Sequence, residues 1–184
     1  MASTEKIIYL TFDDGPIPET TPEILSILKN HQLQATFFCV GDNVRKHPEI
    51  FEMVRSEGHS IGNHSFSHLN GWRTPPGAFV ENIHRCNEYF KTNLFRPPYG
   101  RFTFSQYMLL RKEFRFILWS LLTRDFRSST TREKCLSNAI DNSQAGSIVV
   151  FHDSLKAVEN VRYALPRFLD HFLEKGYRFE GIKV

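Results

Sequence analysis

Long apolar runs are missing from this 184-residue chain. No stretch approaches the roughly 20 residues that cross a bilayer, so no membrane partner is expected. The opening segment Met1-Ala2-Ser3-Thr4-Glu5-Lys6 has no apolar export core. A cytoplasmic location is the expectation, and export of a longer or trimmed precursor is equally compatible with it. Cysteine is scarce: Cys39, Cys86 and Cys135 are odd in number, far apart and never in Cys-x-x-Cys spacing. That excludes a disulfide framework and a thiolate zinc site. Neither charge sign is in excess, because 23 Lys+Arg against 20 Asp+Glu leave only +3. The basic residues are dispersed, which argues against nucleic acid as a partner. The 10 glycines form neither Gly-x-Gly-x-x-Gly nor Gly-x-x-x-x-Gly-Lys-Ser/Thr, so the phosphate cradles of dinucleotide and P-loop proteins are absent.

What is present fits one soluble globular domain over 1–184, with 41% hydrophobic and 23% charged residues. The 17 Phe read mainly as core. Apolar, β-branched and aromatic runs at 7–12, 35–40, 59–62, 94–96, 115–119, 147–151 and 177–182 predict strands. Helical periodicity predicts helices over 19–30, 44–57, 77–91, 104–113, 131–143 and 157–174, with Thr130 or Thr131 capping the fifth. Strands such as Ile148-Val149-Val150-Phe151 are apolar on both faces and belong in a parallel sheet covered by helices. An open doubly wound sheet and a closed or nearly closed barrel both satisfy this βα repeat. Either way, chemistry belongs at the carboxyl ends of the strands.

Those ends carry a distinctive set of groups. The first strand ends in Asp13-Asp14, adjacent acids that imply a metal site, an acid/base site or both. The third ends in His64, with His68 four residues on; in a helical turn that spacing lets both imidazoles grip one ion. A carboxylate and two imidazoles suit zinc or another divalent transition metal. After the fourth strand, Arg96-Pro97-Pro98-Tyr99 offers a cation that can reach a carboxylate and a stiffened backbone whose amide near Tyr99 can face an oxyanion. Asp125 is the acid in the turn after the fifth strand. His152 leaves a core strand on the same rim and can exchange a proton near neutral pH; Asp153 can cap the helix that follows.

The runs Thr11-Phe12-Asp13-Asp14-Gly15-Pro16, His64-Ser65-Phe66-Ser67-His68, Arg96-Pro97-Pro98-Tyr99 and Val150-Phe151-His152-Asp153 occur in this order over residues 11–153. Together they resemble the polysaccharide deacetylase family, carbohydrate esterase family 4. The resemblance implies a deformed (β/α)7-type barrel that removes N-acetyl or O-acetyl groups from a carbohydrate, with N-acetylglucosamine-containing chains the default substrate. It implies one divalent metal ion, Zn2+ ahead of Co2+, Ni2+ or Mn2+, held by Asp14, His64 and His68. Asp13 would be the general base, Arg96 its partner, His152 the general acid steadied by Asp125, and the Tyr99 amide an oxyanion donor. Val150 would face the acetyl methyl. The chain departs from the family's acid-x-x-acid-Trp motif: Leu122 stands for the first acid and Phe126 for the tryptophan.

Trp72 and Phe126 are further candidates for substrate contact, and a monomer or small homo-oligomer is expected. Two other readings compete. One is a different metal-dependent phosphoesterase or amidohydrolase, although no cluster of basic side chains for phosphate accompanies the site. The other is a carbohydrate-binding module that kept the barrel and lost turnover, for which Leu122 and Phe126 are the hints.

Overall fold

The computed structural model describes residues 5–183. Met1 to Thr4 and Val184, part of the expected 1–184 domain, lie outside the described residues. Among the described residues eight strands run in chain order: β1 (Ile7–Asp13), β2 (Thr36–Cys39), β3 (Ser60–Asn63), β4 (Leu94–Phe95), β5 (Arg115–Phe116), β6 (Leu121–Leu122), β7 (Ile148–His152) and β8 (Arg178–Glu180). Their ladders are all parallel, in the order β5-β4-β3-β2-β1-β7-β6, with β8 on the first half of β1. The outer strands β5 and β6 do not pair with each other, so the sheet curls into a half-barrel with an open seam. This is the deformed (β/α) barrel that the family resemblance implies, and it decides between the open sheet and the barrel that the strand pattern left open.

Among the described residues seven α-helices connect the strands: α1 (Thr21–Asn30), α2 (Gly41–Lys46), α3 (Pro48–Ser56), α4 (Pro76–Tyr89), α5 (Phe104–Leu110), α6 (Arg132–Asp141) and α7 (Val158–Glu174). Among the described residues no helix is long and apolar enough to cross a membrane. The last helix buries Val161, Ala164, Leu165, Phe168, Leu169 and Phe172, a stripe at helical spacing. It packs with α1 and α6 over Ile8, Leu10, Phe12, Val149 and Phe151 to form the main core. A smaller core joins Phe79, Ile83, Phe95, Leu110 and Phe114.

Two predicted elements break. The helix expected over 44–57 is two helices, because Pro48 has no N–H to donate and pushes His47 out of the α region, to φ −131° and ψ 57°. Pro48 opens the second. The strand expected over 115–119 pairs only at 115–116. There the chain crosses the seam: Ile117 N still donates to Phe95 O (2.8 Å), whereas Ser120 N donates to Ile148 O on the other side (3.1 Å).

Candidate active site

The strands end level with one another. In the β1–β7 ladder Asp13 lies opposite His152, and in the β1–β2 ladder it lies opposite Phe38. His64 N donates to Cys39 O (2.9 Å) and Arg96 N to Asn63 O (3.0 Å), so the next two strands deliver His64 and Arg96 to the same rim. Asp13, Asp14, His64, His68, Tyr99 and His152 line one cleft of ≈ 760 Å³, whose lining also includes the apolar Ile17, Leu122, Phe126 and Leu155.

Arg96 is fully buried inside the barrel. Its guanidinium lies 4.0 Å from the centre of the Phe38 ring, and a Cβ on Gly62 would be 2.3 Å from that ring. Glycine there leaves space for the interior stack. Nη1 donates to Asp13 Oδ1 and Thr11 Oγ1, both at 2.7 Å. Nε and Nη2 donate to Ile117 O (3.2 Å) and Leu118 O (3.3 Å). One side chain therefore fixes the first acid and tethers the seam segment. Burial lowers the Arg96 pKa, against the pull of Asp13.

The second acid, Asp14, occupies the left-handed region at φ 87°, a conformation that costs a non-glycine residue on the order of 1 kcal/mol or more. Its turn is held from two sides. Asn43 Nδ2 donates to Asp14 O (2.7 Å), while Asp153 Oδ1 accepts from Gly15 N (2.8 Å) and Asp153 Oδ2 accepts from the Thr21 hydroxyl (2.8 Å). The helix-capping role expected of Asp153 is not observed: α7 begins after Ala157 with no side-chain cap. Complete burial pushes the Asp153 pKa up to about 8, against the hydrogen bonds from Thr21 and Gly15. For Asp14, burial acts to raise the pKa, but the His68 hydrogen bond and the fields of His64 and His152 outweigh it and hold the carboxyl well below its usual range.

His64 and His68 do not share a helical turn, contrary to the i,i+4 expectation. They follow β3 in a loop, and positive φ at Ser65 (64°) and His68 (54°) folds the chain back. Asn63 Oδ1 accepts from Ser65 N (2.7 Å) and secures the bend. The imidazole centres end 5.0 Å apart, and the Nε2 atoms of His64 and His68 lie 3.7 and 3.2 Å from Asp14 Oδ1. One ligand atom from each of the three side chains lies within 4.8 Å of the others. The donor chemistry also fits a divalent ion. Burial lowers the His64 pKa to about 4, so the ring is neutral, and His64 Nδ1 bonds Arg96 O at 2.7 Å, which leaves the Nε2 lone pair for a metal.

Across the cleft, His152 Nδ1 lies 2.8 Å from Asp125 Oδ1, and its backbone N–H donates to Asp125 Oδ2 (2.6 Å). Burial would lower the His152 pKa, but the buried Asp125 carboxylate outweighs it, with Asp13 and Asp14 adding, and the value rises to about 9. The Phe126 ring stands edge-on to the imidazole at 4.6 Å. Tyr99, at φ 61°, sets its ring 4.7 Å from that of His68.

Two residues expected to contact substrate, Val150 and Trp72, are not among those that line the cleft. Val150 is fully buried: its neighbours Val149 and Phe151 join the helix-covered core, so strand alternation turns Val150 to the barrel interior beneath His152. Trp72 is exposed on the rim outside the cleft lining. Sequence reasoning missed Asn43, Thr11 and Thr21. Thr11 had a signal, a hydroxyl inside an apolar strand, and Asn43 follows a strand's carboxyl end.

The polysaccharide deacetylase family model matches residues 1–112, and the chain belongs to that family. It is 32% identical to a peptidoglycan-N-acetylglucosamine deacetylase of Bacillus cereus over 96% of this chain and 86% of the relative. A chitooligosaccharide deacetylase of Azorhizobium caulinodans is 33% identical over 83% of this chain and 76% of its own. A crystal structure of a peptidoglycan N-acetylglucosamine deacetylase in complex with 4-naphthalen-1-yl-N-oxidanyl-benzamide superimposes with a TM-score of 0.92, at 32% identity, covering 97% of this chain and 87% of that one.

Proposed function

We propose that this protein is a divalent-metal-dependent deacetylase that hydrolyses the N-acetyl group of an N-acetylglucosamine-containing glycan. The observation that carries the reading is the convergence of Asp14, His64 and His68 within 4.8 Å beside Asp13, with His152 opposite it in the β1–β7 ladder. The family relatives supply the substrate chemistry. Asp14, His64 and His68 would hold the ion, Zn2+ ahead of Co2+, Ni2+ or Mn2+. When bound, such an ion supplies Lewis-acid polarisation and a water of lowered pKa.

The protein's own groups divide the remaining work. Arg96 engages Asp13 Oδ1, which leaves Oδ2 to take a proton from the attacking water. The water oxygen bonds to the acetyl carbon, and the Tyr99 amide would donate to the oxyanion that develops. His152 carries its proton through neutral pH because its pKa lies at about 9. It delivers that proton to the departing nitrogen as the C–N bond breaks, releasing acetate and a free amine. Asp125 fixes the imidazole by its Nδ1 and backbone contacts, leaving Nε2 for the transfer. Leu122 does not interrupt this clamp; it adds an apolar surface to the cleft wall.

The test is acetate release from N-acetylated chito-oligosaccharides and peptidoglycan fragments, before and after chelation and zinc repletion. Asp13→Asn is expected to keep its metal and lose turnover by about a hundredfold or more. Turnover that survives complete chelation rejects the metal mechanism. Loss of stoichiometric metal as the primary defect of Asp13→Asn would make Asp13 a ligand.

A further inference from the structure

Asparagine is a weak helix former, because its amide competes for backbone groups in non-helical conformations. Asn82 nevertheless stands in the middle of α4, and its amide is committed to the loop that carries the two imidazoles. Oδ1 accepts from Phe66 N (2.9 Å) and from Ser67 N (3.1 Å), while Nδ2 donates to Ser67 Oγ (2.9 Å). The start of α2 holds the carbonyls of the same loop: Gly41 N donates to Ser65 O (3.0 Å) and Asp42 N to Phe66 O (2.9 Å). Phe66 is the buried wedge between the two helices. The Arg85 guanidinium lies 3.8 Å from the centre of its ring, and a Cβ on Gly41 would be 2.8 Å from the ring edge.

The two imidazoles depend on this loop to different degrees. His64 leads directly out of β3, is buried, and has its Nδ1 fixed by Arg96 O at 2.7 Å. His68 is partly exposed, and among the described residues its ring has no polar partner other than Asp14 Oδ1 at 3.2 Å. A ligating imidazole is ordinarily oriented by a hydrogen bond on its other nitrogen. Lacking one from the protein, the His68 ring is placed by its backbone, whose φ of 54° is unfavourable for a non-glycine residue and has to be imposed by its surroundings. On one side Leu69 N reaches Ser65 Oγ at 3.3 Å. On the other, Ser67 is gripped at both its amide and its hydroxyl by Asn82.

We infer that Asn82 is a positioning residue for the metal site that acts through His68: by clamping Phe66 and Ser67 it holds the second imidazole against Asp14 and sets the affinity for the ion without touching it. Asn82 lies outside the cleft lining. The inference rests on the reading of Asp14, His64 and His68 as the ligand set and extends that set to a helix behind it.

The experiment measures zinc affinity, by competition with a chromophoric chelator in the full chain, for the parent, Asn82→Ala and Asn82→Asp. Asn82→Ala is also combined with His68→Ala and with His64→Ala, and the Tm of each metal-free protein reports its folding. Asn82→Ala is expected to weaken zinc binding by about tenfold. Asn82→Asp should restore the parent affinity, since one carboxylate oxygen accepts from both amides and the other accepts from the Ser67 hydroxyl. Added to His68→Ala, Asn82→Ala should change nothing further; added to His64→Ala, it should keep its full effect. Unchanged zinc affinity in Asn82→Ala, with or without a fall in Tm, overturns the inference. So does an equal loss in the presence and absence of the His68 side chain, or a loss that Asn82→Asp fails to repair, because either would make Asn82 a contact for folding alone. A parent that binds no zinc would reject the ligand set and this inference together, whereas a zinc-binding parent with an indifferent Asn82→Ala leaves the deacetylase reading standing.

Discussion

Replacing Asp153 with Asn tests whether the acid behind the Asp13-Asp14 turn works as a neutral group. In the folded chain its proton stays bound to about pH 8; in the unfolded chain it leaves near 3.9. The raised folded pKa means that this group's stabilisation is fully present below about pH 3.9 and is lost as pH rises towards about 8. The slope is about 1.4 kcal/mol per pH unit, so the loss by neutrality is on the order of several kcal/mol. Asn cannot ionise. Its Oδ1 can accept from Gly15 N and its Nδ2 can donate to the Thr21 hydroxyl, preserving the contacts made at 2.8 Å. Urea titrations of the metal-free proteins from about pH 5 to about pH 7 should therefore show Asp153→Asn gaining on the wild type by about 1 kcal/mol per unit. Groups common to both proteins cancel in this difference. A pH-independent difference, or a variant less stable by more than about 1 kcal/mol at neutrality, would refute the reasoning and make Asp153 a charged anchor.

Three other perturbations address separate parts of the site. Arg96→Met leaves the nearly buried Asp13 carboxylate without its cation and should cost about 3–5 kcal/mol in urea unfolding; adding Asp13→Asn should recover more than about 1 kcal/mol, and strict additivity would deny the coupling. Asp125→Asn removes the charge that raises His152 while burial remains, so the ring titration followed by NMR in metal-free protein should move from about 9 to below about 6.5; an unchanged midpoint would contradict this. His68→Ala should weaken zinc binding by at least about tenfold, and Asn43→Ala, which touches no ligand atom, should do so by a comparable factor through release of the Asp14 backbone. Unchanged zinc affinity in both would reject the ligand set and its support.

The parallel architecture was legible because buried strands read as continuous apolar runs, and the rule that chemistry gathers at their carboxyl ends selected Asp13, His64, Arg96 and His152 from a chain rich in alternatives. The geometry that joins them was less visible. His64 and His68 meet through left-handed backbone at Ser65 and His68, which no spacing rule announces for non-glycine residues. The break after Phe116 comes from the open seam, a property of the assembled sheet rather than of the apolar run 115–119. Asp153 read as a helix cap because it precedes a helix, yet its partners Gly15 and Thr21 are more than 130 residues away in the chain. Val150 and Trp72 show the same limit from the other side: the resemblance points to the one and an aromatic ring to the other as substrate contacts, but strand alternation and the turn at Gly71–Arg73 decide which surface each presents.

The central position of β1 has a consequence for folding. This strand pairs with β2, β7 and β8, so its neighbours are made at opposite ends of the polypeptide. A fragment ending at residue 112 would contain both acids, both loop histidines and Arg96, but neither β7 nor β8. It would lack Asp153 behind Gly15 and the ladder that orders the end of β1. Pairings over such sequence separations form late and slowly, because the intervening loop must close before any contact rewards it. The acid pair near the start of the chain is thus completed by its last third, and a nascent chain carries the ligands well before it carries the site.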